Sequence, residues 1–179
     1  RFYQLRPGDS QTLEGSSDRL TRVVITDYNR GRYYPDLLSL SWTYGDRVDQ
    51  MLARNLAQDL LRQYFQEEAA FPAEFRPSAY QTTDGGIAIF PFADEDLTLS
   101  ARVAALAPDR FGRQALAQYF QKILDDPKET RERNIIALYG LAALGEPALA
   151  SVQALADLGD LSVRERLYLG LAAAQLGDQ

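Results

Sequence analysis

The sequence predicts a mainly α protein, an array of antiparallel helical hairpins preceded by a short β segment. Three observations carry this. Past Pro35, helices that are apolar on nearly every side alternate with helices that carry one apolar stripe, as inner and outer helices of a stacked array do. The connections between them are short, which makes consecutive helices antiparallel neighbours. A faint repeat also runs through the second half. Arg131-Glu132-Arg133 recurs as Arg164-Glu165-Arg166, and Leu144-Gly145-Glu146 recurs as Leu176-Gly177-Asp178. A spacing in the low thirties is that of a helical-hairpin array. These features leave an α/α toroid and an open solenoid both available.

Residues 1–32 read as a β lead-in that either packs against the helices or forms the edge of a neighbouring β domain. Phe2-Tyr3-Gln4-Leu5 is an apolar run, Pro7-Gly8-Asp9-Ser10 and Gly15-Ser16-Ser17-Asp18 are turn clusters, and Leu20 to Thr26 is rich in β-branched residues. Short strands of this kind are not stable alone. Residues 33–179 form the helical-hairpin domain. Pro35 suits a first helical turn, so a short helix covers Asp36 to Trp42. The next helix opens near Asp46, where the carboxylate favours the positive end of the helix dipole, and runs to about Phe65. Its predicted apolar stripe is Val48, Met51, Leu52, Leu56, Leu60, Tyr64 and Phe65, with Arg47, Arg54, Gln58 and Arg62 opposite.

The run Phe71-Pro72-Ala73-Glu74-Phe75-Arg76-Pro77 breaks the helical ladder. Tyr80 to Asp96 is a loop. Five helices follow, over Leu97 to Leu106, Asp109 to Leu124, Ile135 to Leu144, Pro147 to Leu158 and Leu167 to Leu176. Thr130 and Ser162 stand at matching N-caps, and Ser162-Val163-Arg164-Glu165 fits a capping box. In the helix before the last loop, Leu149, Val152, Leu155 and Ala156 are expected to face inward. Leu167, Leu169, Leu171 and Leu176 cannot all be buried by the preceding hairpin. This end is therefore expected to be an open array, covered by further helices or by a second copy in a homodimer.

Composition narrows the chemistry. The 179 residues can bury a sizeable core, and the net charge of −6 disfavours nucleic acid, which needs basic groups against phosphate. No run approaches a membrane span. The chain has no Cys and no His. Thiolate nucleophiles, disulfides, the usual general base and the commonest zinc ligand are thus absent, and with them most hydrolase triads and zinc enzymes. No catalytic residue, metal or cofactor is expected. The chain begins with Arg1 and its one Met is Met51, so it is expected to be a processed or excised piece.

The stretch Tyr44-Gly45-Asp46-Arg47-Val48-Asp49-Gln50 resembles the thioester region of alpha-2-macroglobulin-like proteins. The family pattern is Tyr-Gly-Cys-x-Glu-Gln, in which Cys and Gln side chains form an internal thioester that captures nucleophiles. Tyr44, Gly45 and Gln50 match it, Asp49 stands for the Glu, Asp46 stands where the Cys should be, and the gap is one residue longer. A thioester cannot form. The resemblance therefore implies the thioester-less bacterial branch, with Asp46, Asp49 and Gln50 as a degenerate site. It also implies an α/α toroid, the fold shared with terpenoid cyclases. The function implied is that of a non-catalytic structural domain in a large endopeptidase inhibitor that traps proteases by steric enclosure. The expected partners are flanking domains and proteases, in an extracytoplasmic setting: periplasmic, cell-surface or secreted.

Other candidates weigh toward structure. Gln81-x-x-Asp84-Gly85-Gly86 resembles a turn found in many toroids; the physical need is positive φ and close approach of the loop to a helix end. Asp94-Glu95-Asp96 could hold Ca²⁺ or Mg²⁺ or act as an acid, but carboxylates are favoured as caps just before a helix such as that from Leu97. Tyr33, Tyr34, Trp42 and Tyr44 form a candidate aromatic platform for a peptide or carbohydrate. Two alternatives to the family reading remain. One is a free-standing helical-repeat adaptor for a peptide. The other is a toroid enzyme relying on Asp and Glu, which would need two carboxylates facing one cavity with separated pKa values.

Overall fold

The computed structural model describes residues 3–69 and 74–177. The expected features at Phe2, Phe71, Pro72, Ala73 and Asp178 lie outside them. The chain is mainly helical, and its contacts divide it into two units, Arg1–Gly45 with Gln50–Glu74, and Asp46–Asp49 with Phe75–Gln179.

The first unit holds α1 (Tyr28–Gly31), α2 (Tyr34–Ser41) and most of α3 (Val48–Phe65). The β lead-in is a correction: among the described residues, 3–27 contain no strand. The turn signals act, but locally. The Asp9 amide donates to the Arg6 carbonyl at 2.9 Å, and the Arg6 amide to the Asp9 carboxylate at 2.8 Å. Leu20 to Thr26 has the composition of a strand but no partner segment, and Leu20 and Ile25 stand almost fully exposed. Asp27 caps α1 by accepting from the Arg30 amide at 3.0 Å, and Pro35 sits in the first turn of α2.

Helix α3 begins and ends close to expectation, but its buried face is rotated. Val48, Leu52, Ala57 and Leu61 are buried, whereas Leu60 and Tyr64 are exposed. Gln58, expected on the polar side, is buried, and its carboxamide donates to the Ser41 carbonyl at 3.3 Å. The polar atom is tolerated there because it has an acceptor.

The second unit is a helical stack: α4 (Leu97–Leu106), α5 (Arg113–Asp125), α6 (Arg131–Ala143), α7 (Leu149–Ala156) and α8 (Val163–Leu176). Helix α6 is its centre, packed against α4, α5 and α8. Its residues Ile135 through Ala142 are all buried, the expected signature of an inner helix. Helices α4, α6 and α8 bring their N-termini to one end. Arg164 of α8 reaches the Thr98 hydroxyl of α4 at 3.2 Å and the Glu132 carboxylate of α6 at 3.4 Å. The row α4–α6–α8 is therefore parallel. Helices α5 and α7 pack on α6 and α8 respectively.

Three expectations need correction in this unit. Helix α5 starts at Arg113 rather than Asp109, because Pro108–Arg110 forms a separate 3₁₀ turn and Phe111 is extended, which buries its ring. In α7, Val152 is buried but Leu149 and Ala156 are exposed. Helices α6 and α8 start at Arg131 and Val163, directly after their caps, rather than at Ile135 and Leu167. Helix α8 buries Tyr168, Leu169 and Ala172, while Val163, Leu167 and Leu171 lie open along one side. Its Ser162 capping box is present.

Candidate functional site

The Tyr44–Gln50 turn is built from short-range contacts. Gly45 has φ of +137°, and a Cβ there would land on the Gln50 side-chain oxygen. The Gln50 carboxamide is thus folded back over Gly45, whose left-handed backbone is what favours a glycine there. The Arg54 guanidinium lies 5.6 Å from the centre of the Tyr44 ring.

The residues from Asp46 to Asp49 are held by the loop that precedes α4. The Asp46 carbonyl accepts from the Tyr80 hydroxyl at 2.9 Å, and burial together with the Asp46 charge pushes that phenol upward. Arg47 is forked onto the Asp49 carboxylate, with nitrogen–oxygen distances of 3.0 and 2.8 Å. This hydrogen bonding raises the Arg47 pKa. At the start of α3, the Val48 amide is met by the Ile89 carbonyl at 2.9 Å.

Residues 80–96 are an ordered scaffold. Isolated antiparallel bridges join Gln81 to Ile87 and Ala88 to Glu95. The Gln81 carboxamide donates to the Gly85 carbonyl at 3.0 Å and to the Gly112 carbonyl at 3.1 Å. It also accepts from the Gly112 amide at 2.8 Å. Gly85 has φ of +93°, and a Cβ on it would land on the Ala115 carbonyl of α5. A Cβ on Gly86 would fall 2.6 Å from the Glu95 side chain and 2.9 Å from the Tyr119 ring. Asp84 pairs with Lys122 at 3.2 Å. Buried Ser100 accepts from the Ile87 amide and donates to the Asp96 carbonyl, both at 2.7 Å. Asp96 caps α4 by accepting from the Leu99 amide at 2.7 Å. Among the described residues no group of three or more Asp or Glu side chains is spaced to hold a metal ion.

The aromatic candidates meet different neighbours. The Tyr34 ring sits 5.0 Å from Phe65, and its hydroxyl donates to Glu67 at 2.6 Å; burial, then this bond, pushes the phenol up to about 12. Tyr33 lies under the Arg32 guanidinium at 4.6 Å, and Tyr44 lies under Arg54. Trp42 lines a cleft of about 210 Å³ together with Arg22, Leu38, Arg54, Gln58 and Glu67. Arg22 pairs with Glu67 at 2.7 Å. Sequence reading passed over Arg22 and Glu67, because no local pattern links residues so far apart. Likewise Arg131 and Glu165 stood out as a repeat, yet they meet as partners across α6 and α8 at 2.8 Å.

No helix among the described residues is long and apolar enough to cross a membrane. Compared with protein-family models, curated proteins and solved structures, the chain matches none.

Proposed function

We propose that this chain is a non-catalytic structural and interaction domain of a large alpha-2-macroglobulin-like, protease-trapping protein whose thioester chemistry has been lost. The observation that carries the reading is the Tyr-Gly turn with Gln50 folded back over Gly45. A glutamine turned onto the residue beside the missing Cys is what a degenerate thioester site would retain. Asp46 has replaced the nucleophile, and without Cys the carboxamide has nothing to acylate. The stacked outer and inner helices, with the close loop contact at Gly85, support a partial α/α toroid. The partners on this reading are flanking domains and an enclosed protease, in an extracytoplasmic compartment. No covalent step, metal or cofactor enters.

The test is capture of the intact parent protein with an antibody to this segment, followed by limited proteolysis. The expected result is a chain much larger than this segment that retains the attacking protease after cleavage and releases it in denaturant. A denaturant-stable protease adduct would overturn the loss of chemistry. A captured protein no larger than this segment would instead favour the helical-repeat adaptor, a reading that the open side of α8 also supports.

A further inference from the structure

Helices α6 and α8 are copies in register at both ends. Thr130 and Ser162 cap them in the same way, each accepting from the amide three residues on, at Arg133 and Glu165. Gly145 and Gly177 close them with φ of +70° and +74°. This register places Val163, Leu167 and Leu171 of α8 at the positions that Arg131, Ile135 and Tyr139 hold in α6. In α6 that row faces α8. Arg131 grips Glu165 at 2.8 Å, Tyr139 stacks on Tyr168 with centroids 5.7 Å apart, and Ile135 between them is wholly buried. The matching row on α8 is 79%, 57% and 38% exposed at Val163, Leu167 and Leu171.

A groove runs beside this row. In the same register Gly170 and Ala173 stand where α6 has the buried Leu138 and Leu141. These small residues line a groove of about 420 Å³ together with Val152, Gln153, Leu161 and Leu169. Arg166 also lines it, is exposed, and makes no ion pair among the described residues. An apolar row, a groove with small and aliphatic walls beside Gln153, and a guanidinium without an ion pair among the described residues make a surface shaped for a helix that brings aliphatic side chains and a carboxylate.

We infer that the open side of α8 docks one more outer–inner helix pair of this repeat type. Its inner helix lies parallel on α8 as α8 lies on α6, fills the groove with aliphatic side chains and turns an acidic residue to Arg166. The inference rests on the repeat register and stands whether or not the thioester-less reading holds.

The probe is a synthetic peptide of residues 146–177, the chain's own α7–α8 pair, titrated into the full chain. The expected result is saturable binding that Leu167→Glu with Leu171→Glu weakens by at least about tenfold. Arg166→Glu should weaken it less, and an apolar-surface dye bound to the chain should be displaced. Both leucines are already exposed, so the far-ultraviolet circular dichroism of the double variant should be unchanged. Absence of peptide binding at millimolar concentration would overturn the inference. So would equal binding to the double variant, because the peptide would then be exchanging with the native α7–α8 pair. Sedimentation of the chain alone as a dimer that the same substitutions disperse would assign the surface to a second copy instead.

Discussion

Gln81 and the backbone of Gly112 form a two-point amide pair, the side-chain nitrogen donating to the carbonyl at 3.1 Å and the side-chain oxygen accepting from the amide at 2.8 Å. Gly112 is the N-cap of α5, so this pair ties the 80–96 loop to the start of a helix whose Leu116 and Phe120 are fully buried. A side chain that both donates and accepts at this spacing must be a carboxamide.

Gln81→Glu is therefore expected to destabilise the fold at neutral pH by about 2 kcal/mol, since a carboxylate loses the donated bonds and faces the Gly85 and Gly112 carbonyls. Protonation restores a donor. Urea unfolding of this variant beside the parent chain should show the gap narrowing at acid pH. A gap independent of pH would mean that the pair contributes little.

Gly85 tests the same contact from the other side. Gly85→Ala combines a left-handed backbone with a methyl group directed at the Ala115 carbonyl. The conformational cost alone is about 1–2 kcal/mol. Gly8 has nearly the same φ, +94°, and a methyl group there would meet nothing within 4 Å, so Gly8→Ala isolates that part. Thermal melts should place Gly85→Ala clearly below Gly8→Ala. Equal losses would show that α5 moves aside freely.

The link between α6 and α8 makes stability depend on acid. Hydrogen bonding from Arg131, then from the Ser162 amide, lowers the Glu165 carboxyl from 4.5 to about 2. A carboxylate depressed on folding contributes stability that is full above its unfolded value and is lost as pH falls toward the folded one. The Glu165 contribution should thus be intact above about pH 5 and fade between there and about pH 2. Glu165→Gln should flatten the acid limb of the denaturation curve. Arg131→Met should raise the Glu165 pKa, readable by carboxyl carbon resonance. An unchanged acid limb in Glu165→Gln would assign the acid sensitivity to other carboxylates.

How much of this was legible depends on the range of the signal. Helix α4, the caps at Asp96, Thr130 and Ser162, and the inner character of α6 follow from neighbours within a few residues, so sequence spacing carries them. The face of α3 was misjudged because Gln58 is buried with its carboxamide donating to the Ser41 carbonyl, a contact that hydropathy cannot register. Leu20 to Thr26 reads as a strand by composition, but a strand is made by its partner and none lies beside it among the described residues. The close approach required at Gly85 was visible in Asp-Gly-Gly. Its target, the Ala115 carbonyl, was not, because the chain between them sets that distance.

The acidic run before α4 gives the last prediction. Asp96 is committed to the Leu99 amide at 2.7 Å, and the Glu95 side chain packs over Gly86. Asp94 is exposed beside them, so the three carboxylates do not converge. Calcium or magnesium that bound the folded state would raise the melting temperature by mass action. Millimolar additions should leave it unchanged. Asp96→Ala should cost about 1 kcal/mol through loss of the cap, whereas Asp96→Asn keeps an acceptor and should cost much less. Asp94→Asn should be close to neutral. A saturable rise in melting temperature with calcium, abolished by Asp94→Asn and Asp96→Asn together, would turn the run from a helix cap into a metal site.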